Sequence, residues 1–247
     1  MTDNRMEEKI IRLKEIDSTK RFLRELKDEQ EDEMVVAVAD FQTAGKGQGS
    51  HTWESEAGKN LLFSIKVHPR WVPVRQQFLL SMAGAIAIKE ALETYVDGIT
   101  LKWPNDVYWN DKKISGTLIE TSIDSKGIKT CIFGIGINVN QEEFHSDAPN
   151  PVSLRQILGH EVDRDELLQK VIEGFIRYYE LLRRADYMDV SGIYHLSLYR
   201  RKGFHRYEDA DGEFEGAFVE VEDDGHLVLH DKQGVIRSYS FGEVKFK

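Results

Sequence analysis

The chain has 247 residues, of which 40% are hydrophobic and 31% are charged, and an excess of acidic residues gives a formal net charge of −10. The hydrophobic share supports a packed core and excludes wholesale disorder, and the negative charge argues against a broad surface for nucleic-acid phosphates. No apolar run approaches the ~20 residues of a membrane span, and the first residues do not resemble a secretory signal. The single cysteine, Cys131, cannot form an internal disulfide, so we expect a cytoplasmic protein.

The first hundred residues contain signals for both strands and helices. Residues 9–16 alternate loosely between apolar and polar, and short apolar runs predict strands at 34–40 and 60–67. The capping residues Asp17-Ser18-Thr19 predict a short helix over 19–27. Apolar residues at helical spacing predict a long helix over 75–96 with one buried face.

The remaining residues predict a sheet, a second long helix and a small β domain. Further strands are predicted at 99–103, 114–121 and 128–139, with hairpin turns at 111–112 and 125–127. Strands joined by tight turns favour a mixed or antiparallel sheet. Asp163 caps a predicted helix over 163–184, and the short alternating stretches of 201–247 predict a small β-barrel.

Four segments carry candidate chemistry, although each has an ordinary structural alternative. They are FQTAGKGQGSHTW at 41–53, KWPND at 102–106, KKISGTLIE at 112–120 and GIGINVN at 134–140. The glycines of the first segment favour an anion-binding loop, but its spacing matches neither a P-loop nor a dinucleotide fingerprint. Asp106 suits a magnesium ion, or it belongs to a turn between strands.

Lys113 is a candidate because it begins a predicted strand. Strand alternation places Ser115 and Thr117 on the same face as Lys113. An ammonium group there can contact two anions at once, and the alternative is a solvated lysine in a hairpin turn. Gly116 inside the strand favours the close approach of a ligand or of another backbone.

Taken together, the order and spacing of these blocks resemble the biotin protein ligase family, also called biotin–[acetyl-CoA-carboxylase] ligases. The matching blocks are EIDSTK at 15–20, QTAGKGQGSHTW at 42–53, GKNLLFS at 58–64, KWPNDV at 102–107, KKISGTLIE at 112–120 and GIGINVN at 134–140. The resemblance covers roughly residues 10–185. The first block lies so near the start that we expect the form without an N-terminal DNA-binding domain.

The resemblance implies an α+β fold and a two-step reaction. The fold is a class II aminoacyl-tRNA synthetase-like mixed sheet with flanking helices over residues 1–195, followed by a small C-terminal SH3-like β-barrel over 196–247. The family uses ATP and Mg²⁺ to convert biotin into biotinyl-5′-AMP. It then transfers biotin to a lysine of the biotin carboxyl carrier protein of acetyl-CoA carboxylase or of a related enzyme. We expect no DNA and no membrane partner, and we leave homodimer formation open.

The resemblance also assigns individual residues. Lys113 matches the catalytic lysine and Asp106 the metal-binding position. The positions that match biotin contacts are Ser18, Thr19, Lys20, Gln42, Lys46, Gly47, Gln48, Lys113, Gly116, Gly134 and Gly136. The positions that match nucleotide contacts are Gly45, Lys46, Gln48, Trp53, Asn105 and Asn138.

One departure and two alternatives accompany this interpretation. The family's loop commonly has arginines where this chain has Lys46 and Gln48, which predicts a weaker hold on the adenylate. A lipoate–protein ligase shares the fold and the chemistry, but its Arg-Arg-x-x-Gly-Gly loop is missing here. A biotin-binding protein without turnover is the other alternative, and retention of Lys113 argues against it.

Overall fold

The apolar runs of residues 8–137 form a seven-stranded sheet in the computed structural model. The structure describes residues 6, 8–27, 33–47, 49, 51–146 and 148–247. Its strands are β1 (Glu8–Ile16), β2 (Met34–Gln42), β3 (Leu61–Val67), β4 (Ile99–Lys102), β5 (Asp106–Trp109), β6 (Lys112–Asp124) and β7 (Gly127–Ile137). They lie in the order β1-β2-β3-β7-β6-β5-β4. Strands β1 and β2 pair in parallel and the other neighbours are antiparallel, so the prediction of a mixed sheet is confirmed.

Helices cover both faces of this sheet. They are α1 (Thr19–Glu25), α2 (Phe78–Glu93), α3 (Leu154–Leu158), α4 (Arg164–Arg183) and α5 (Tyr187–Leu196), with a 3-10 turn at Val74–Gln76. Helix α2 packs against β4, α4 and α5. Its buried residues therefore lie on nearly all sides, from Phe78 to Leu92, and not on the single face that the sequence predicted. Asp163 caps α4 as expected, accepting from the Glu166 amide at 3.2 Å.

Helix α1 lies on the opposite face of the sheet. Its Leu23 packs against Val35, Ala37 and Ile132. Because strand residues alternate between faces, Phe63 of β3 joins the large core and its neighbour Ser64 faces α1. The α1 face is thus less apolar than the α2 face, and this difference leaves room for a polar cavity.

A second, antiparallel sheet follows at the C-terminal end. Its strands are β8 (Phe204–Asp209), β9 (Gly212–Val221), β10 (Leu227–Asp231), β11 (Ile236–Tyr239) and β12 (Lys245–Phe246), in the order β11-β10-β9-β8-β12. The Trp103 indole N–H donates to the Gly225 carbonyl at 2.9 Å, and both Phe78 and Trp103 contact the Phe241 ring. The two sheets therefore share one apolar core. The predicted α+β fold class is confirmed.

The sequence did not reveal β5, α3 or α5. Strand β5 has four residues and α3 has five, too few to show a periodic pattern. Because β5 was missed, the first hairpin turn was placed at 111–112, whereas β6 already begins at Lys112 and the turn contains Asn110 with φ 51°. Within the described residues, no helix combines the length and the apolar character that a bilayer crossing requires.

Candidate active site

A cavity of about 230 Å³ opens between α1 and the facing side of the sheet. The predicted residues that line it are Ser18, Thr19, Lys20, Gln42, Lys46, Gly47, Trp53, Asn105, Asp106, Lys113, Gly116, Gly134 and Gly136. These residues come from separate sequence blocks, which the fold brings together around one space.

One end of the cavity is neutral and polar, and it forms where α1, β2 and β3 meet. The Gln42 Oε1 atom accepts from the Thr19 amide at 2.7 Å and from the Thr19 hydroxyl at 3.0 Å. The Thr19 hydroxyl also contacts the Ser64 hydroxyl at 2.8 Å, and both side chains are buried. Ser18 caps α1, which fixes the direction from which Thr19 enters the network. This end can recognise a neutral group that has both donors and acceptors.

The other end of the cavity is charged. The Lys113 Nζ atom lies 2.6 Å from the Asp106 Oδ1 atom. Both side chains are mostly buried, with 26% of Lys113 and 19% of Asp106 exposed. The Asn105 side-chain amide donates to the Thr117 carbonyl at 2.6 Å, and the Thr117 amide donates back to the Asn105 carbonyl at 3.0 Å. These bonds hold the start of β5 against β6. An anion entering here meets an ammonium group that is already oriented.

A bulge in β6 decides which way Lys113 points. Ser115 pairs with Val107, but Lys113 pairs with Tyr108, so Ile114 is an extra residue in β6. A Cβ placed on Gly116 would lie 3.3 Å from Lys113 Nζ. Lys113 therefore lies on the face of Gly116, and the expectation that it shares a face with Ser115 and Thr117 is wrong. Without the bulge, strand alternation would turn Lys113 away from the cavity.

The glycine-rich segment forms a small hairpin that ends in Trp53. The Gly47 amide donates to the His51 carbonyl at 2.8 Å, and the Trp53 amide donates to the Gly45 carbonyl at 3.0 Å. Lys46 pairs with Thr52 across the hairpin. The indole of Trp53 lies on the sheet beside Lys113, whose Nζ atom is 5.7 Å from the ring centre.

Lys20 lies against Gly134 and forms an ion pair at the cavity opening. A Cβ on Gly134 would lie 3.2 Å from Lys20 Cδ. The Lys20 Nζ atom lies 2.8 Å from a Glu120 carboxylate oxygen, and Arg24 also donates to Glu120. Burial raises the pKa of Glu120, but the hydrogen bonds from Lys20 and Arg24 lower it by more, so this pKa lies below its ordinary range.

Three predicted residues are not among those that line the cavity. Gly45 lies beside it, where a Cβ would be 3.5 Å from Gln42 Nε2. Asn138 is buried next to β6, and its backbone N–H donates to the Ile114 carbonyl at 2.9 Å. Within the part of the chain that the structure describes, its Oδ1 atom has no hydrogen-bond partner. Gln48 lies outside the described residues.

Several lining residues were not identified from the sequence. Ser64 and Glu120 complete the polar and charged contacts, and Leu62 and Leu118 supply apolar walls. Ser64 carried a usable signal, because it is the one hydroxyl in the apolar run LLFSIKV. The others required the strand pairing to be known.

Comparisons with known proteins agree with this geometry. A model of the biotin/lipoate A/B protein ligase family matches residues 13–139. The chain belongs to this family. The resemblance inferred from the sequence blocks is therefore confirmed.

Similarity to individual proteins extends over most of the chain. A bifunctional ligase/repressor BirA from Bacillus spizizenii is 29% identical over 231 residues, covering 91% of this chain and 70% of that protein. A biotin--[acetyl-CoA-carboxylase] ligase from Paracoccus denitrificans is 27% identical over 204 residues, covering 80% of this chain and 84% of that protein. The structure of a biotin protein ligase from Aquifex aeolicus in complex with biotin and ATP has a TM-score of 0.79 and 29% identity. It covers 96% of this chain and 98% of that chain.

Proposed function

We propose that this protein is an ATP-dependent biotin protein ligase. It joins biotin to ATP to give biotinyl-5′-AMP and transfers the biotinyl group to a lysine of a biotin carboxyl carrier protein. The acceptor belongs to acetyl-CoA carboxylase or to a related biotin-dependent enzyme. The observation that carries this proposal is the placement of Lys113 in the same cavity as the Thr19–Gln42–Ser64 network.

The polar network suits the ureido ring of biotin. That ring carries two N–H donors and a carbonyl acceptor, and the network presents hydroxyl and amide groups that can donate and accept. The apolar walls, Leu62 and Leu118, suit the remainder of the ring system and the chain that follows it. Biotin bound in this orientation extends its carboxylate toward the charged end of the cavity.

Lys113 is the group that permits the first step. A biotin carboxylate oxygen attacks the α-phosphorus of ATP, the bond to pyrophosphate breaks, and pyrophosphate leaves with the electron pair. Both reactants are negative, so their approach is opposed by charge repulsion. The Lys113 ammonium group lies where it can contact the carboxylate and the α-phosphate together, and it stabilises the charge that develops between them.

In the second step the neutral amine of the acceptor lysine attacks the acyl carbon of biotinyl-5′-AMP. The new C–N bond forms an amide, the bond to AMP breaks, and the amine loses a proton. Lys113 contacts the phosphate of the departing AMP in this arrangement, which stabilises the leaving group.

Asp106 suits a magnesium ion at the triphosphate. Mg²⁺ usually takes one or two carboxylates together with phosphate oxygens and water. Asp106 supplies one carboxylate on the cavity wall, 2.6 Å from the Lys113 Nζ atom. The ion would neutralise phosphate charge there.

Two sequence-based assignments remain part of this proposal. We place the enzyme in the cytoplasm, because its single cysteine, Cys131, cannot form an internal disulfide, which fits a reducing compartment. We also place the catalytic domain in residues 1–195 and the C-terminal domain in 196–247.

The test is biotin-dependent exchange of pyrophosphate into ATP. We expect the wild type to catalyse the exchange, and Lys113→Ala to reduce it by at least about a hundredfold through loss of transition-state charge stabilisation. Lys112→Ala is the matched control, since Lys112 is an exposed lysine one residue away. Replacing biotin by lipoate in the same assay tests the lipoate ligase alternative. Biotin binding without exchange would contradict the ligase proposal and support the alternative of a biotin-binding protein without turnover.

A further inference from the structure

Two glycines opposite each other in the sheet form the surface on which Trp53 lies. Gly116 of β6 and Gly136 of β7 are direct cross-strand partners. A Cβ added to Gly136 would lie 2.4 Å from Cε2 and 2.7 Å from Nε1 of the Trp53 indole. A Cβ added to Gly116 would lie 3.0 Å from Trp53 Cζ3. The indole therefore spans both glycines in contact with the backbone of the sheet.

Space, and not backbone conformation, explains why glycine occupies these two positions. Neither Gly116 nor Gly136 has a φ in the left-handed region, so their backbone suits any residue. A Cβ on Gly136 would lie 2.4 Å from the indole, so the ring would have to move off the sheet to accommodate it.

The position of Trp53 fixes the hairpin that faces the cavity. Its amide bonds to Gly45 at one end of the hairpin, and Gly47 bonds to His51 further along. Lys46 and Gly47 line the cavity, so displacement of the indole displaces them as well. In the described part of the chain, the buried indole N–H has no hydrogen-bond partner, so contact with the sheet holds the ring in place.

We infer that the Gly116–Gly136 pair is a seat for Trp53 that positions the hairpin, and Lys46 with it, over bound biotinyl-5′-AMP. The glycines act as positioning residues through Trp53. The inference rests on the proposed function for its ligand. The seat itself exists in the protein without ligand.

The first test is kinetic, and its variant is Gly136→Ala. We expect the KM for ATP and the release rate of biotinyl-5′-AMP to rise about tenfold, as overpacking at a seat of this kind costs binding energy. Gly192→Ala is the control for the glycine-to-alanine change itself, because Gly192 lies in α5 and does not line the cavity. A Cβ on Gly192 would meet no atom within 4 Å, so we expect values near those of the wild type.

A double variant separates the seat from a direct ligand contact. Removing the indole with Trp53→Ala leaves space for the added methyl group. We therefore expect Gly136→Ala to have no further effect on either parameter in the Trp53→Ala background. An equal loss in both backgrounds would mean that the ligand touches Gly136 itself, and the inference would be wrong. Tighter biotin binding by Gly136→Ala would also overturn it, because Trp53 would then be an obstruction to biotin.

Limited proteolysis tests the seat without any enzymatic activity. Lys46 is exposed in the hairpin and offers a tryptic site. In ligand-free protein, we expect Gly136→Ala and Trp53→Ala to accelerate cleavage after Lys46, and Gly192→Ala to leave it unchanged. If these two variants are cleaved faster but the wild type catalyses no pyrophosphate exchange, the seat is retained and the ligase proposal is rejected. Unchanged cleavage in Gly136→Ala would reject the seat.

Discussion

At the scale of single residues, Glu120 joins the two sides of the cavity opening. It belongs to β6, and its partners Lys20 and Arg24 belong to α1. Its pKa lies below the ordinary range, so the folded protein favours the charged carboxylate more than the unfolded chain does. Glu120 therefore stabilises the fold above its unfolded pKa of about 4.3, and this contribution is lost as the pH falls through the folded pKa.

We expect Glu120→Gln to lower the free energy of unfolding at pH 7 by about 1 kcal/mol or less, because the group is partly exposed and solvent screens the pair. The deficit relative to wild type should shrink as the pH is lowered below 4. Urea unfolding at pH 7 and at pH 3.5 measures both values. Glu25→Gln is the control, since Glu25 pairs with Arg21 at the surface. A deficit that grows at low pH would contradict the sign of this pKa shift.

At the scale of secondary structure elements, the polar end of the cavity depends on three elements at once. Thr19 begins α1, Gln42 ends β2, and Ser64 lies in the middle of β3. Their hydrogen bonds, from 2.7 to 3.0 Å, hold the start of α1 against the end of β2 and the middle of β3. A change in one side chain therefore affects both ligand recognition and the docking of α1.

We expect Thr19→Val to raise the dissociation constant for biotin about tenfold, since it removes one hydroxyl from a buried network and leaves Ser64 without that partner. The KM for ATP should change much less, because Thr19 is at the neutral end. Isothermal titration with biotin and exchange kinetics with varied ATP measure the two effects. Thr121→Val is the control, as its hydroxyl bonds to Gln77 and does not line the cavity. Equal effects on biotin and ATP would contradict the assignment of the two ends.

The elements also show what could be predicted from the sequence. Short continuous apolar runs were enough to locate β2, β3 and β7, and the motif blocks pointed to Lys113 and Thr19 before any geometry was known. The bulge at Ile114 was not predictable, because it depends on how β6 pairs with β5. Likewise, the contact between Gly136 and Trp53 was not predictable, because it depends on how the hairpin lies on the sheet.

At the scale of the whole molecule, the two sheets meet in an aromatic contact at Trp103, within the same KWPND motif that contains Asp106. Trp103 donates to Gly225 and touches Phe241, which also contacts Phe78 of α2. Gly225 has a φ of +97°, and a Cβ there would lie 2.8 Å from the Phe78 ring. The C-terminal sheet is therefore packed against the layer that holds the site, and we expect both sheets to unfold together.

Gly225→Ala tests this coupling, with Gly242→Ala as the matched control. Both glycines have left-handed φ values, +97° and +88°, but a Cβ on Gly242 would meet no atom within 4 Å. We expect a loss of about 1 kcal/mol in the control from backbone strain and a further 1–3 kcal/mol at Gly225 from overpacking against Phe78.

The shape of the unfolding transition decides whether the sheets are coupled. All four tryptophans lie within residues 53–109, so tryptophan fluorescence follows the large sheet and its helices. Hydrogen exchange of β9 and β10 follows the small sheet. If the sheets share one core, Gly225→Ala shifts both signals to the same lower urea concentration, because neither sheet can keep its apolar contacts alone. Loss of β9 and β10 protection before the fluorescence change would show instead that the small sheet unfolds independently.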